Sequence, residues 1–587
     1  MTQNGRIISK LFRTSVVSII AAAIAAMLGI VIDGIVIGRY LGDDSMASYS
    51  LVTPLVNLTT AFSGILTTGA QVICAQHLGA GKVRRARRAF SMCMLMTIVI
   101  SAILIIGILL LRDQIGVFLG AKNDAVLKLS SDYMLGMVFS IPSVLLLFEF
   151  NSLMRLDGDA NRVIVAVAVM TVLDIAGDLL NVFVFKLGMF GMGLTTSISY
   201  FVALVIMLLH FTKKNIIFRF SLRDLRTKDI LDILGTGSSS AVGSASVMVR
   251  NTVMNHIMAS TAQATVAVAA LGVLSTLVTF TSAVMIGIGM TCAMLAGMIL
   301  GEQDRSAAHS LVSITLKVVL VVGGVLTVVL FVFAHPIASI FGSDMSQDRI
   351  ELSATGIRMY SISLILSGIN NAFVNYSQGM RRMITANLFC FLQNMLFAIL
   401  PALALAGVLG TNAVWLSYLF SEGLTFTVII ISAAVRKRGL PIKLSDYLFL
   451  KEPFGAPEDK LYEASVSGAS DVPEISAAIG EFCVRQGADD STAQTLRMFV
   501  EETCDNIIRY GFSDKKKHSI DLRLIRNDDG WTIRFRDNCR LFDPTEWAGE
   551  NIEDNSEPDT GIKKIYSCAK SVDYLNTLDL NILTIRI

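Results

Sequence analysis

The sequence predicts an all-α polytopic membrane protein of twelve transmembrane helices in two six-helix repeats, followed by a small cytoplasmic α/β sandwich domain. The composition is the first reason: of 587 residues, 53% are hydrophobic and only 16% are charged. Soluble globular domains carry about 25% charged residues, so a purely soluble protein is excluded. The net charge of +2 gives no support for nucleic acid as a partner.

Apolar windows of about twenty residues are the second reason, because a helix of that length can cross the hydrocarbon layer. Twelve are predicted, at 14–38, 48–75, 89–111, 132–154, 163–186, 191–212, 235–258, 266–299, 311–334, 355–378, 384–407 and 412–435. The first window follows basic residues, as in a signal peptide. It is too long and lacks a convincing small-residue cleavage site, so it is predicted to be a retained span.

Basic clusters determine the predicted orientation. They lie at the start of the chain and after every even-numbered window, for example at 82–88, 213–228 and 436–438. The positive-inside rule then places both termini in the cytoplasm, and the chain is expected to be a multi-pass protein of the cell (inner) membrane. The eight cysteines show no metal-ligand spacing and are predicted to be reduced thiols.

An internal repeat is the third reason. A shift of 222 residues carries Asp33 onto Asn255 and Thr59 onto Thr281, and the register continues over about ninety residues. Each repeat has six windows and therefore the same orientation, so the two are related by an axis along the membrane normal. The predicted units are a first half (1–212), a cytoplasmic linker (213–234) and a second half (235–438).

Polar side chains inside the windows are the candidate transport residues, because an ionisable group at membrane depth costs about 3 kcal/mol or more. Asp174, Asp178 and Asn181 are spaced i, i+4 and i+7 and share one helix face. Two carboxylates on one buried face can share a proton or hold a cation. The alternative is that such groups lie near the interface or satisfy one another in packing. The candidates for coupling ion and substrate are Asp33, Glu149, Asp174, Asp178, Asn181 and Asn255.

Several short motifs, taken together with the twelve windows, carry a family resemblance. They are Ile32-Asp33 followed by 38–42, then GAQVICAQHLGAG at 69–81, LMRLDG at 153–158, GMFGMGLT at 188–195 and LAGMILGEQD at 295–304. Over about residues 1–440 the chain resembles the multidrug and toxin extrusion (MATE) transporters. The resemblance implies export of an organic, often cationic or amphiphilic, solute across the lipid bilayer in exchange for Na⁺ or H⁺. It also implies that Asp33 and Asp178 occupy the coupling-ion positions, with Asp174 standing where many members have Asn.

The composition changes after Arg438, where 439–460 is predicted to be a linker and 461–587 a soluble domain. Helices are predicted at 472–486, 488–510 and 560–569, and strands at 519–525, 531–536 and 581–587. Glu502 and Asn506 are four residues apart on a helix, and in an ATP site that spacing would let Glu502 orient a water while Asn506 holds Mg²⁺ on the phosphates. Asp537, at a strand end, would accept from an adenine amino group.

With Gly561 and the helix after it, this tail resembles the histidine-kinase-like ATPase fold, closest to anti-sigma-factor serine kinases. The resemblance implies Mg-ATP as a cofactor, with Glu502 in the catalytic position and Asn506, Asp537 and Gly561 as nucleotide contacts. Cys539 stands where a glycine is usual, and without further glycines the backbone does not easily wrap a triphosphate. A regulatory module, with or without bound nucleotide and with a cytoplasmic protein as its partner, is therefore favoured over ATPase or kinase turnover.

Two other functions remain open from the sequence. One is a flippase for a lipid-linked precursor in the same superfamily, which the near-absence of intramembrane basic residues other than Arg250 argues against. The other is a membrane-anchored signalling protein with a kinase tail, which the missing glycines argue against. No GxxxxGK[ST] motif is present, so ATP is not expected to power transport.

Overall fold

Helices lie at all twelve predicted windows. The computed structural model describes residues 5–121, 123–213, 216–221, 225–261, 264–340, 347–512, 518–546 and 561–587. The helices of the first half are α1 (Gly5–Val36), α2 (Asp43–Gly79), α3 (Val83–Leu119), α4 (Asp124–Met137), α5 (Ser140–Leu156), α6 (Ala160–Leu180) and α7 (Gly188–Leu208). Those of the second half are α8 (Lys228–Ala259), α9 (Ala264–Glu302), α10 (Arg305–Val332), α11 (Ala334–Ile340), α12 (Gln347–Gly379), α13 (Met383–Phe391), α14 (Phe397–Leu409) and α15 (Thr411–Lys437).

Nine helical segments of the described chain are long and apolar enough to cross a membrane. A tenth span is formed by α4 and α5, which meet at a bend of 50°. Pro142 in the first turn of α5 cannot donate a backbone hydrogen bond, so the two helices do not merge into one. The other two windows lie in α1 and α8, the first helix of each half, and α8 is rich in serine and glycine.

The two halves meet backbone to backbone at one end of the bundle. We call this end the basic face, because it carries the basic loop residues Lys82, Lys213, Arg381 and Arg382. A Cβ atom on Gly79 would lie 2.1 Å from the carbonyl oxygen of Met298, and one on Gly301 would lie 2.0 Å from that of Gln76. Only glycine lets the backbones of α2 and α9 approach this closely, as in other packed membrane helices.

Polar contacts between α8 and the first half extend this closure. Arg88 on α3 pairs with Asp229 at the start of α8, with Nε 2.6 Å from Oδ2. Deeper in the bundle, the hydroxyls of Thr68 on α2 and Ser240 on α8 are 3.0 Å apart. The two halves are therefore joined from the basic face to the middle of the bundle.

Beyond that depth the same helix faces are exposed. On α2 the face of Thr68 continues with helical spacing to Asn57, and on α8 the face of Ser240 continues to Asn251 and Asn255. Asn57, Asn251 and Asn255 are all exposed. The polar faces that join α2 and α8 in the middle of the bundle thus become exposed towards the end opposite the basic face.

The tail is a five-stranded antiparallel sheet in the order β1-β2-β3-β5-β4, with helices on one face. The strands are β1 (Leu461–Val466), β2 (Ile520–Asn527), β3 (Gly530–Asp537), β4 (Ser571–Thr577) and β5 (Leu580–Arg586), and the helices are α16 (Val472–Arg485), α17 (Asp490–Gly511) and α18 (Gly561–Cys568). Alternate residues of β2 and β3, such as Leu522 and Phe535, are fully buried in the core beneath the helices. The predicted sandwich is confirmed, and β1 and β4 are strands that the sequence analysis did not predict.

The segment predicted as a linker is folded against the basic face of the second half. Leu448, Phe449 and Leu450 are buried. The ring of Phe449 contacts those of Phe373 and Phe389, with centroid distances of 6.5 Å and 6.2 Å. The middle of the connection from α15 to the tail, at Leu448–Leu450, is therefore packed against the second half.

Closure of the basic face should depend on Gly301. A methyl group there would have to push the backbone of α2 away, and overpacking of this kind costs about 1–3 kcal/mol. We expect Gly301→Ala to lengthen the distance between spin labels at Asn161 and Arg436, which are exposed residues of the two halves near this face.

The matched control is Gly272→Ala on the same helix, where an added Cβ meets no atom within 4 Å. Equal distance distributions for both variants would show that the close approach of α2 and α9 does not hold the face closed.

Candidate functional site

Three carboxyl groups from two helices meet inside the first half. Asp33 on α1 and Asp174 and Asp178 on α6 are 8%, 6% and 0% exposed. The carboxyl groups of Asp33 and Asp178 are within hydrogen-bonding range of each other. Asp174 faces α1 at Gly29, where a Cβ atom would lie 3.5 Å from Oδ2. The predicted i, i+4 pair of α6 is thus directed at the predicted acid of α1.

Two hydroxyl groups from α7 hold this cluster. Thr195 Oγ1 donates to Asp178 Oδ1 at 2.5 Å, and Ser199 Oγ donates to Asp174 Oδ1 at 3.0 Å. Sequence analysis missed both residues. The sequence did contain a signal for them. Thr195 and Ser199 are spaced i, i+4 on α7, which directly follows α6, where Asp174 and Asp178 have the same spacing.

Two oxygen atoms of the cluster have unused bonding capacity. Asp33 Oδ1 and Asp178 Oδ2 are buried and accept a hydrogen bond from no described residue. A buried charge without a partner is strongly disfavoured, so such a pair requires a proton or a bound cation. Carboxylate and hydroxyl oxygens are also the ligands that hard cations prefer.

Asn181 has a different position from that expected. Its Nδ2 donates to the carbonyl oxygen of Gly188 at 2.9 Å, and its Oδ1 accepts from the backbone nitrogen of Leu187 at 3.1 Å. Both ends of the amide are therefore used in the connection between α6 and α7. In this conformation Asn181 positions the turn, and it is not directed at the carboxyl cluster.

A π-helical turn follows each of the paired acids. One turn (Ile37–Leu41) continues α1 beyond Asp33, and the other (Asn181–Phe185) continues α6 beyond Asp178. The turns contact each other through Tyr40 and Phe183, whose ring centroids are 5.2 Å apart. Such turns are strained and occur frequently at functional sites, and these two lie beside the carboxyl pair.

Glu149 and Asn255 lie apart from this cluster. Glu149 on α5 is fully buried, and its Oε2 accepts from Thr97 on α3 at 2.8 Å. Its other oxygen has no partner among the described residues. Asn255 lies in the second half, on the exposed part of α8 described above. The structure therefore unites Asp33, Asp174 and Asp178 and separates them from these two candidates.

The second half has a half-buried carboxylate of its own, Glu422 on α15. Asn370 donates to it at 2.7 Å and Gln393 at 2.9 Å. Arg250 lies nearby over the ring of Tyr418, with Cζ 5.5 Å from the centroid. In contrast to the pair in the first half, this carboxylate has amide donors for both of its oxygens.

Comparison with known proteins agrees with these features. Residues 18–180 and 240–400 match the MatE family model, once in each half. The chain belongs to the MatE family. It is 23% identical over 339 residues to the probable multidrug resistance protein YoeA of Bacillus subtilis, covering 55% of this chain and 72% of YoeA. It is also 23% identical over 398 residues to the multidrug export protein MepA of Staphylococcus haemolyticus, covering 67% of this chain and 86% of MepA.

Solved structures show the same fold in the membrane part of this MatE-family protein. An outward-facing multidrug resistance MATE transporter matches with a TM-score of 0.69 and 18% identity, over 73% of this chain and 96% of that one. The Vibrio cholerae transporter VcmN in its bent form matches with a TM-score of 0.68 and 19% identity, over 76% and 99%. Residues 467–587 match the histidine kinase-like ATPase domain, so the predicted family of the tail is confirmed as well.

The candidate nucleotide residues of the tail surround the end of α17. Glu502 and Asn506 are partly exposed on this helix, and Gly561 begins α18, which packs against it. A Cβ atom on Gly511 would lie 2.7 Å from Cβ of Cys539, so the turn after β3 packs against the end of α17. Residues 513–517 and 547–560 lie outside the described residues.

Asp537 is occupied by the protein itself. It is 4% exposed, and its Oδ1 accepts from Asn581 Nδ2 and from the backbone nitrogen of Cys539, both at 2.9 Å. Burial raises the pKa of Asp537, and the hydrogen bonds from Asn581 and Cys539 oppose that rise. Asn506 and Glu502 fit a magnesium-bound phosphate, whereas an adenine amino group at Asp537 would compete with Asn581 for Oδ1.

Competition at Asp537 predicts opposite effects of two substitutions on nucleotide affinity. Asn581→Ala removes the competing donor and should tighten Mg-ATP binding by about fivefold, since a net hydrogen bond contributes about 1 kcal/mol. Asp537→Ala should abolish binding. The measurement is fluorescence titration of the full-length protein in detergent with a fluorescent ATP analogue and Mg²⁺.

The control is Asp529→Ala in the turn between β2 and β3, an exposed acid on the same sheet. If the analogue binds wild type and Asp537→Ala with equal affinity, Asp537 is not a nucleotide contact.

Proposed function

We propose that this MatE-family protein is an antiporter that exports organic, cationic or amphiphilic solutes in exchange for Na⁺ or H⁺. The observation that carries the proposal is the carboxyl pair of Asp33 and Asp178. Each has a buried oxygen that accepts a hydrogen bond from no described residue. A proton or a cation at this position would satisfy both oxygens, and its loss would leave two like charges in a site without water.

The cation would act on the relative position of α1 and α6. When it is bound, Asp33 and Asp178 hold the two helices and the π-helical turns beyond them together. When it leaves, repulsion between the carboxylates favours a different arrangement of α1. A solute that binds the rearranged state better than the cation-bound state is then exchanged for the cation, because each ligand biases the same two-state equilibrium.

The direction of export follows from the closure of the basic face. The positive-inside rule assigns this face to the cytoplasm, so the exposed polar faces of α2 and α8 would lie towards the outside. Solute would leave between the halves, past Asn57, Asn251 and Asn255. Return to the inward-open state requires α2 and α9 to part at Gly79 and Gly301, after which cytoplasmic solute can enter. The tail at the basic face would regulate this step.

Efflux from proteoliposomes tests the proposal. Under an imposed H⁺ or Na⁺ gradient directed into the vesicles, we expect cationic dyes to leave the vesicle lumen. The gradient that drives this efflux identifies the coupling ion. Asp33→Asn and Asp178→Asn should each slow efflux by more than about tenfold, because a hydrogen bond to a charged group contributes about 1.5–3 kcal/mol. Asp124→Asn, at an exposed acid at the start of α4, should transport normally.

Gradient-independent movement, or wild-type rates in both cluster variants, would refute cation coupling at this site. If wild type moves a lipid-linked anion and no dye, the protein is a flippase. If no solute moves while the full chain phosphorylates a partner with Mg-ATP, the protein is a signalling kinase.

A further inference from the structure

The sheet of the tail has a second face that is charged and buried. On β2 and β3 the residues between the core positions are Asp521, Arg523, Arg534 and Arg536. Asp521 and Arg523 are only 8% and 7% exposed. Charged side chains are rarely buried unless they are paired, and the face of a sheet opposite its helices is usually exposed to water. These residues are buried because the sheet lies on the basic face of the membrane part.

The first contact of this face is with the second half. Arg536 donates to Glu302 at the end of α9. Arg523 Nη1 lies 3.1 Å from Oδ2 of Asp304, which also caps α10 by accepting from the backbone nitrogen of Ala307 at 2.8 Å. The α9–α10 turn is thus joined to β2 and β3 by paired charges that are largely withdrawn from water.

The second contact is with the first half, through the turn between β4 and β5. Thr577 Oγ1 and the backbone nitrogen of Leu578 donate to the carbonyl oxygen of Leu156, at 2.6 Å and 3.1 Å. Leu156 is the last residue of α5, so the turn satisfies a carbonyl that has no partner within its helix. The side chain of Leu578 is buried in the hydrophobic core of the membrane part, which also contains Leu156.

The loop that receives this turn is itself held in place. Asp157, next to Leu156, is joined to His210 at the end of α7, with Oδ2 2.9 Å from Nε2. Asp159 is 2.8 Å from the other ring nitrogen of His210 and also pairs with Lys213 at 2.7 Å. Motion of the first half would therefore be transmitted to the turn at 577–579.

The two contacts lie on one rigid element. β3 and β5 are hydrogen-bonded neighbours, with Arg536 opposite Ile582 and Asp537 opposite Asn581. The α5–α6 loop and the α9–α10 turn belong to different halves, so they cannot move apart while both contacts remain. The contact with the second half is reinforced by the packed linker, which leaves the 577–579 turn as the weaker one.

We propose that the tail is a clasp that holds the basic ends of the two halves together and thereby stabilises the state closed on that face. The clasp consists of the contacts of Arg523 and Arg536 with Asp304 and Glu302, and of the 577–579 turn with Leu156. This inference rests on the proposed function only in that opening of the basic face is a step of transport. Release of the turn is the step by which the tail permits that opening.

The candidate nucleotide site is connected to the turn. Asn581, three residues after Leu578, donates to Asp537 and accepts from Tyr574 at 2.6 Å and from Asn576 at 2.9 Å. A ligand that displaces Asn581 from Asp537 would disturb the hydrogen bonds that Asn581 makes with β4. These bonds lie next to the 577–579 turn that contacts Leu156. Nucleotide is therefore the effector class that this geometry would couple to release.

Distances between spin labels at Asn161 and Arg436 test the clasp without any solute. The full-length protein in nanodiscs would carry Cys539→Ser and Cys568→Ser, since these two cysteines are not buried. We expect a short, narrow distribution in wild type. Thr577→Val, which removes one donor to Leu156, should raise the ratio of open to closed populations by about fivefold. Leu578→Ala and Leu578→Glu should raise it further.

Asp529→Ala, whose exposed side chain lies in the turn at the other end of the sheet, is the matched control and should resemble wild type. Unchanged distributions in Thr577→Val and both Leu578 variants would overturn the clasp. Thr577→Val only replaces a hydroxyl group with a methyl group of similar size, so it still tests the clasp if the Leu578 variants do not fold. If the variants shift the distances but the protein transports no dye, the clasp is supported and the proposed antiport is refuted. If the protein transports dye but the variants do not shift the distances, the antiport is supported and the clasp is refuted.

Discussion

The arrangement of the first half depends on one constraint: carboxyl groups inside a membrane must have partners. Asp33 is buried, and α1 packs where α6 supplies Asp174 and Asp178 and α7 supplies hydroxyl donors. The donors satisfy one oxygen of each acid on α6. Asp33 and Asp178 each keep a buried oxygen that accepts from no described residue, and we propose that a cation or proton binds there and controls the packing of α1 against α6.

A second constraint acts at the basic face, where the two halves meet backbone to backbone. Gly79 and Gly301 allow α2 and α9 to approach so closely that no side chain fits between them. A contact of this kind contains little that adapts to small displacements, so the two halves either fit or separate. That behaviour suits alternating access, in which two states interconvert around a fixed site.

The tail adds a third element to this two-state system. Its sheet uses one face for its own core and the other for charged contacts with the transporter, and it touches both halves. The tail is thus attached to the basic ends of both halves, where α2 and α9 make their close contact. The hydrogen bond between Asn581 and Asp537 places the candidate nucleotide site within the same sheet as the contacts that span the halves.

The sequence by itself determined much of this protein. Apolar windows, basic loops and the 222-residue repeat predicted the helices and the division into halves. Motif spacing predicted the families of both parts, and the i, i+4 acids predicted a shared face on α6. These features are local, since helix periodicity and hydrophobic length are properties of neighbouring residues. Only the tertiary structure decided which acids meet. It brought Thr195 and Ser199 to the acids of α6, turned the amide of Asn181 into the α6–α7 connection and separated Glu149 and Asn255 from the cluster. It also placed Arg523 and Leu578 against opposite halves of the transporter, because contacts between residues hundreds of positions apart depend on how whole helices and strands pack.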